Sequence, residues 1–91
     1  MNTDIPPADN GVQILVAEDS PTQAQRLQHL LQQEGYRVTL TPNGRVALET
    51  ARRHKPALII SDINMPEMDG YELCRQVKTE PTLSDIAVIL V

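Results

Sequence analysis

Three carboxylates stand at the ends of short apolar runs. Glu18 and Asp19 directly follow VQILVA, and Asp62 directly follows ALIIS. If those runs are neighbouring strands of one sheet, the three acids converge. Like charges in a small cleft repel, and they stay ionised only beside a compensating cation or by sharing protons. Oxygen-only ligands with an incomplete shell suit Mg2+, which keeps several waters and often bridges to a phosphate. A carboxylate beside such an ion can attack phosphorus and form an aspartyl phosphate, while the ion neutralises the incoming phosphoryl oxygens. Taken singly, Glu18 or Asp19 reads first as a cap on a helix or turn. Together with Asp62 on a parallel sheet, they read as a site.

Other motifs fail. Asp62-x-Asn64 begins like an EF-hand loop, but Glu67 stands where that loop requires glycine and Leu73 where it requires glutamate. There is no Gly-rich phosphate loop and no G-x-S-x-G elbow. A Mg2+-dependent phosphatase using Asp62 lacks a second aspartate two residues on, since position 64 is Asn, so no general acid is at hand.

The elements that must position these acids follow from the patterning. Residues 1–11, with Pro6, Pro7 and Gly11, read as a flexible arm. Val12 to Ala17 is a buried strand by length and β-branching. Ser20-Pro21 starts a helix. Ala24, Leu27, Leu30 and Leu31 form its apolar stripe, and Gly35 ends it. YRVTLT is a second strand, and Pro42-Asn43-Gly44 is a turn signal. Val46, Ala47, Leu48 and Ala51 give a second, weaker helical face that Pro56 closes. ALIIS is a third strand. Asp69 caps a third helix, with Glu72 completing an acidic capping box and Leu73, Cys74 and Val77 facing inward. IAVILV, residues 86–91, is a fourth strand. The order β-α-β-α-β-α-β, with strands apolar on both faces, implies an α/β fold with a parallel sheet covered on both sides. In such open sheets functional groups gather at the carboxyl ends of the strands.

Composition sets the outer bounds. The chain of 91 residues, 41% apolar and 22% charged, suits one folded domain. Its net charge of -4 argues against a dedicated nucleic-acid surface, and aromatic content of 2% argues against base stacking. The cluster Arg52-Arg53-His54-Lys55 falls at a helix end, where cations suit the dipole. His29 reads as solvent-facing, and Cys74 as a small buried hydrophobe. One cysteine permits no internal disulfide, and no run is long enough to span a membrane. The expectation is a cytoplasmic protein without membrane contact.

At the acidic residues a family resemblance becomes specific. VQILVAEDSP resembles the acidic-pair segment of bacterial two-component response-regulator receiver domains, the CheY-like family. ALIISDINMPEMDGYELCRQVK resembles their phosphoacceptor segment, with D-x-x-M-P-x-M-D-G intact. The stretch between has the same texture, so the resemblance covers about Val12 to Val91. It implies a flavodoxin-like doubly wound sheet. The strand order 2-1-3-4 comes from this resemblance and not from spacing.

The resemblance also implies roles. Asp62 is the phosphoacceptor, Asp19 binds Mg2+ directly, Glu18 helps through water, and Asn64 offers its backbone carbonyl. Pro66 and Gly70 shape the loop and helix start, and Met65 packs. The implied function is a phosphoacceptor signalling module, not a conventional enzyme, served by a sensor histidine kinase or a phosphotransfer protein. Relatives carry a Ser or Thr after the fourth strand and a Lys after the fifth, and both positions fall beyond Val91. Residues 12–91 are therefore expected to form a receiver lacking its α4-β5-α5 portion. The alternative is a degenerate receiver serving as a structural or dimerisation module without phosphotransfer. IAVILV at an open edge has the uncharged, β-prone character of an aggregating segment. Three outcomes are open: a fragment of a longer polypeptide, a homodimer through that fourth-strand edge by pairing or swapping, or a chain marginally folded alone; the first two are favoured.

Overall fold

The computed structural model describes residues 10–91. Most of the expected N-terminal arm, residues 1–9, lies outside the described residues. Asn10 donates its backbone N–H to the Gly35 carbonyl at 3.0 Å, and its side chain accepts from Val12 N–H at 2.8 Å.

The elements are β1 (Gln13–Ala17), α1 (Pro21–Gln33), β2 (Arg37–Thr41), α2 (Gly44–His54), β3 (Leu58–Ser61), α3 (Gly70–Thr79) and β4 (Ala87–Leu90). All pairings are parallel, and the strand order is β2-β1-β3-β4. This is the flavodoxin-like order that the resemblance implies. The central strand β1 is buried from Ile14 to Ala17. Side chains alternate across a sheet, so Leu15, Ala17 and Ile59 meet one layer of helices while Ile14 and Val16 face the other.

The first layer is α2 with α3. Its core holds Ala47, Leu48 and Ala51 from α2 and Leu73 and Val77 from α3, joined by Leu83 and Ile86 of the α3–β4 connection. The α2 face, weak by hydrophobicity, is the best buried of the helical faces. The reason is size: Ala47 and Ala51 let the helix backbone approach the sheet.

Caps follow the expected residues with two differences. Ser20 and Asp69 accept from the third helical N–H of α1 and α3. Asn43-Gly44, read as a turn, instead opens α2, with the Asn43 side chain accepting from Val46 N–H at 2.9 Å. Only half of the capping box at α3 forms, because the Glu72 carboxylate is held by Arg75 and Gln76. Gly35 takes φ 92 after α1, whereas α2 ends on Lys55 at φ 47 before Pro56. The basic cluster at that end is partly structural, since Arg52 forms a forked pair with Glu80.

The α1 stripe is only partly covered. Ala24 is buried, Leu27 and Leu31 are half-buried, and Leu30 is exposed. The helix leans toward β2, and an apolar groove of about 370 Å3 lies between it and the β3–β4 side, lined in part by Leu27, Leu30, Ile60, Ile89 and Val91. Cys74 is half-buried rather than buried, because Leu73 and Val77 take the inward positions of α3.

Leu73 is fully buried, so truncation leaves a cavity among α2, α3 and the sheet. Leu73→Ala should cost about 2–5 kcal/mol in urea unfolding. A loss below about 1 kcal/mol would show that this helix pair is not the main core.

Candidate functional site

The register brings the acids together. Ala17, the last residue of β1, pairs with Thr41 on one side and Ser61 on the other. The next residues of all three strands therefore emerge at one level of the sheet edge. Hydrogen bonds continue one step further: Glu18 N–H donates to the Thr41 carbonyl at 3.0 Å, and Asp62 N–H to the Ala17 carbonyl at 2.9 Å. Buried Thr41 donates its hydroxyl to the Val16 carbonyl at 2.8 Å, tying β2 to the same end.

Glu18, Asp19 and Asp62 can each offer a carboxylate oxygen within 4.8 Å of the others. Glu18 and Asp62 are half-buried and Asp19 is exposed. Ser20 N–H donates to Glu18 Oε2 at 3.0 Å, and Ile63 N–H to Asp62 Oδ1 at 2.8 Å. Partial burial, followed by the nearby charges of Asp62 and Asp19, pushes the Glu18 carboxyl above its ordinary value, against the pull of the Ser20 N–H. A group of three hard oxygen donors whose charges oppose one another fits a divalent cation.

Asp62 opens the loop to α3. Asn64 and Pro66 are exposed along it, and Met65 is half-buried against the main core, which is the packing role expected of it. Gly70 is buried where the chain returns. Its N–H donates to the Ile63 carbonyl at 2.8 Å, and a Cβ there would come closer than 3.0 Å to the Asp62 carbonyl oxygen. His29 and His54 are exposed, away from this cluster. Two contributions escape the sequence reading. Ser61 is fully buried and donates to the Asp62 carbonyl at 2.7 Å. Glu67 adopts φ 71 and pairs with Arg45 of α2 at 3.1 Å.

Residues 14–91 match the response regulator receiver domain family. This chain belongs to that family. The receiver is 51% identical to the signal receiver domain of a signal transduction histidine kinase from Syntrophus aciditrophicus, at a TM-score of 0.85 over 88% of this chain and 61% of that one. It is 30% identical to the receiver domain of a sensor histidine kinase from Pseudomonas aeruginosa PAO1, solved with a magnesium ion coordinated in its active site cleft. That match has a TM-score of 0.83 over 87% of this chain and 65% of that one. Among curated relatives, Protein PilH of Pseudomonas aeruginosa is 36% identical over 78 residues, covering 86% of this chain and 64% of PilH. The chain spans about three-fifths of the length of its short curated relatives and as little as 6% of a long one. Receiver domains are signalling modules that bind Mg2+ at an acidic pocket, and they work with sensor histidine kinases or phosphotransfer proteins. Among the described residues, no helix is long and apolar enough to cross a membrane.

The acidic cluster generates a thermodynamic test. Asp62→Asn keeps the oxygen that accepts Ile63 N–H and removes one charge. Without metal, its melting temperature should equal or exceed that of the unaltered chain. Mg2+ at ten times its dissociation constant should stabilise the unaltered receiver by about 1.4 kcal/mol and the variant by much less. Because the Glu18 carboxyl is raised, this gain should fade as pH drops into the carboxylate range, where protons displace the metal. Equal Mg2+ gains in both proteins would sink the cation assignment.

Proposed function

We propose that this receiver accepts a phosphoryl group on Asp62 from a sensor histidine kinase or phosphotransfer protein in a Mg2+-dependent step. The observation that carries the proposal is the convergence of Glu18, Asp19 and Asp62 at the strand ends, in a chain of this family. Asp19, Asp62 and the Asn64 backbone carbonyl would hold the ion, with Glu18 assisting from beside them. A bound Mg2+ supplies charge neutralisation for the phosphoryl oxygens. An Asp62 carboxylate oxygen attacks phosphorus. The phosphorus–nitrogen bond of the donor phosphohistidine breaks, its electron pair stays on the imidazole, and an acyl phosphate forms. Catalysis here is positioning and electrostatics, so the receiver assists its own modification without turning over a separate substrate. A chain with one cysteine and a kinase donor belongs in the cytoplasm.

A second copy at the β4 edge completes the reading. Among the described residues β4 pairs with β3 alone, and residues 86–91 carry no charge. Such an edge accepts another strand, and the identical strand of a second copy supplies one with a matching apolar face.

Intact mass after incubation with Mg2+ and a small-molecule phosphodonor tests the function. One added phosphoryl group is expected in the unaltered chain, and none with Asp62→Asn or chelator. A folded chain that gains no mass would favour the degenerate receiver that pairs without phosphotransfer. Size-exclusion chromatography with light scattering tests the edge separately: a dimer is expected, and a soluble monomer at high concentration rules out the pairing.

A further inference from the structure

Gly44 makes a contact that the carboxylate cluster alone does not call for. It is the first residue of α2, it is buried, and its N–H donates to the Met68 carbonyl at 3.0 Å. A Cβ at this position would lie closer than 3.0 Å to that oxygen, which is backbone and cannot swing aside. Only glycine permits this approach. The acceptor belongs to a strained turn. Met68 N–H bonds the Pro66 carbonyl at 2.8 Å across Glu67, whose φ is 71. A three-residue turn with positive φ at a non-glycine centre is the rare, strained kind. Such a conformation persists only where its surroundings over-determine it.

Two contacts reach this turn from α2. Arg45 Nε meets Glu67 Oε1 at 3.1 Å, but both side chains are about half exposed, and an exposed pair contributes little. The buried contact is Gly44. At the opposite end of the loop, Gly70 closes against Ile63 and Asp62. The loop from Asp62 is therefore held at both ends by backbone approaches that exclude a side chain.

We infer that Gly44 is a positioning residue for the acidic site: by clamping the Pro66–Met68 turn to α2, it sets where Asp62 and the Asn64 carbonyl stand for Mg2+. This rests on the Mg2+-dependent phosphoacceptor reading of Asp62. Coupling between two sites is reciprocal, so Mg2+ must also tighten the clamp.

The experiment follows backbone amides of the whole chain by NMR, with and without Mg2+. In the unaltered chain, Mg2+ should slow hydrogen exchange at the Gly44 amide, a result that needs no variant to fold. Gly44→Ala should shift the amides of residues 62–70 without metal and raise the half-saturating Mg2+ concentration about 10-fold, as loss of supporting contacts around a metal typically does. Val77→Ala, a core truncation in α3, controls for lost stability and should leave that concentration within about 2-fold, far below such a supporting-contact effect. A folded Gly44→Ala that binds Mg2+ like the unaltered chain overturns the clamp. So does a Gly44 amide indifferent to Mg2+ while Asp62 responds. If no amide near Glu18, Asp19 or Asp62 responds to Mg2+ in the unaltered chain, the metal reading falls instead. The clamp is then decided by the metal-free shifts, which must appear in Gly44→Ala and not in Val77→Ala.

Discussion

Hydrogen bonding of β1 along both edges governs everything beyond its last residue. Because Ala17 is level with both Thr41 and Ser61, three chains leave the sheet side by side. A slip of one residue would turn Leu15 and Ala17 to the opposite face. It would also move Glu18 and Asp19 out of step with Asp62. Burial of Ile14 to Ala17 on both faces makes that slip costly. Correct packing of the middle strand and correct placement of the acids are thus one event.

The fold gathers charges that oppose one another and then restrains them. Ser20 N–H holds Glu18, and Ile63 N–H holds Asp62. The Ser20 N–H favours the ionised Glu18 carboxylate, yet partial burial and the neighbouring charges keep that carboxyl above its ordinary value. The residual mismatch suits a site that takes up a divalent cation and, with it, phosphate. The strained turn at Glu67 lies in the same loop as Asp62, so local conformational cost is concentrated beside the carboxylate cluster.

The two faces of the sheet differ in completeness. The α2–α3 side closes around Leu15, Ile59, Leu73 and Leu83, all nearly or fully buried. The α1 side leaves Leu30, Ile89 and Val91 exposed along a groove that adjoins the open strand edge. Leu30, Ile89 and Val91 are thus the large apolar side chains left exposed around that groove. The groove reaches Glu18 at the strand ends, so this side of the molecule borders the acidic site.

Much was legible in the sequence because it is local. Strand length and β-branching marked the four strands, Ser20 and Asp69 marked helix starts, and the D-x-x-M-P-x-M-D-G segment with the Glu18-Asp19 pair marked the acids. Distances between those acids were not local information. They depend on which strands are neighbours and in what register, and that order came from family likeness before the pairing of β1 displayed it. The role of Gly44 was hidden for the same reason. Pro42-Asn43-Gly44 reads as a turn by composition, and nothing near it in sequence announces the Met68 carbonyl. Leu30 reads as core by its spacing and lies exposed, because helical periodicity reports which residues share a face and not whether a partner covers it. The sequence by itself determined the elements, the caps of the first and third helices and the residue types of the three carboxylates. Only the tertiary structure decided which apolar face is buried, how near the acids stand and what clamps the loop, because those depend on contacts between residues far apart in the chain.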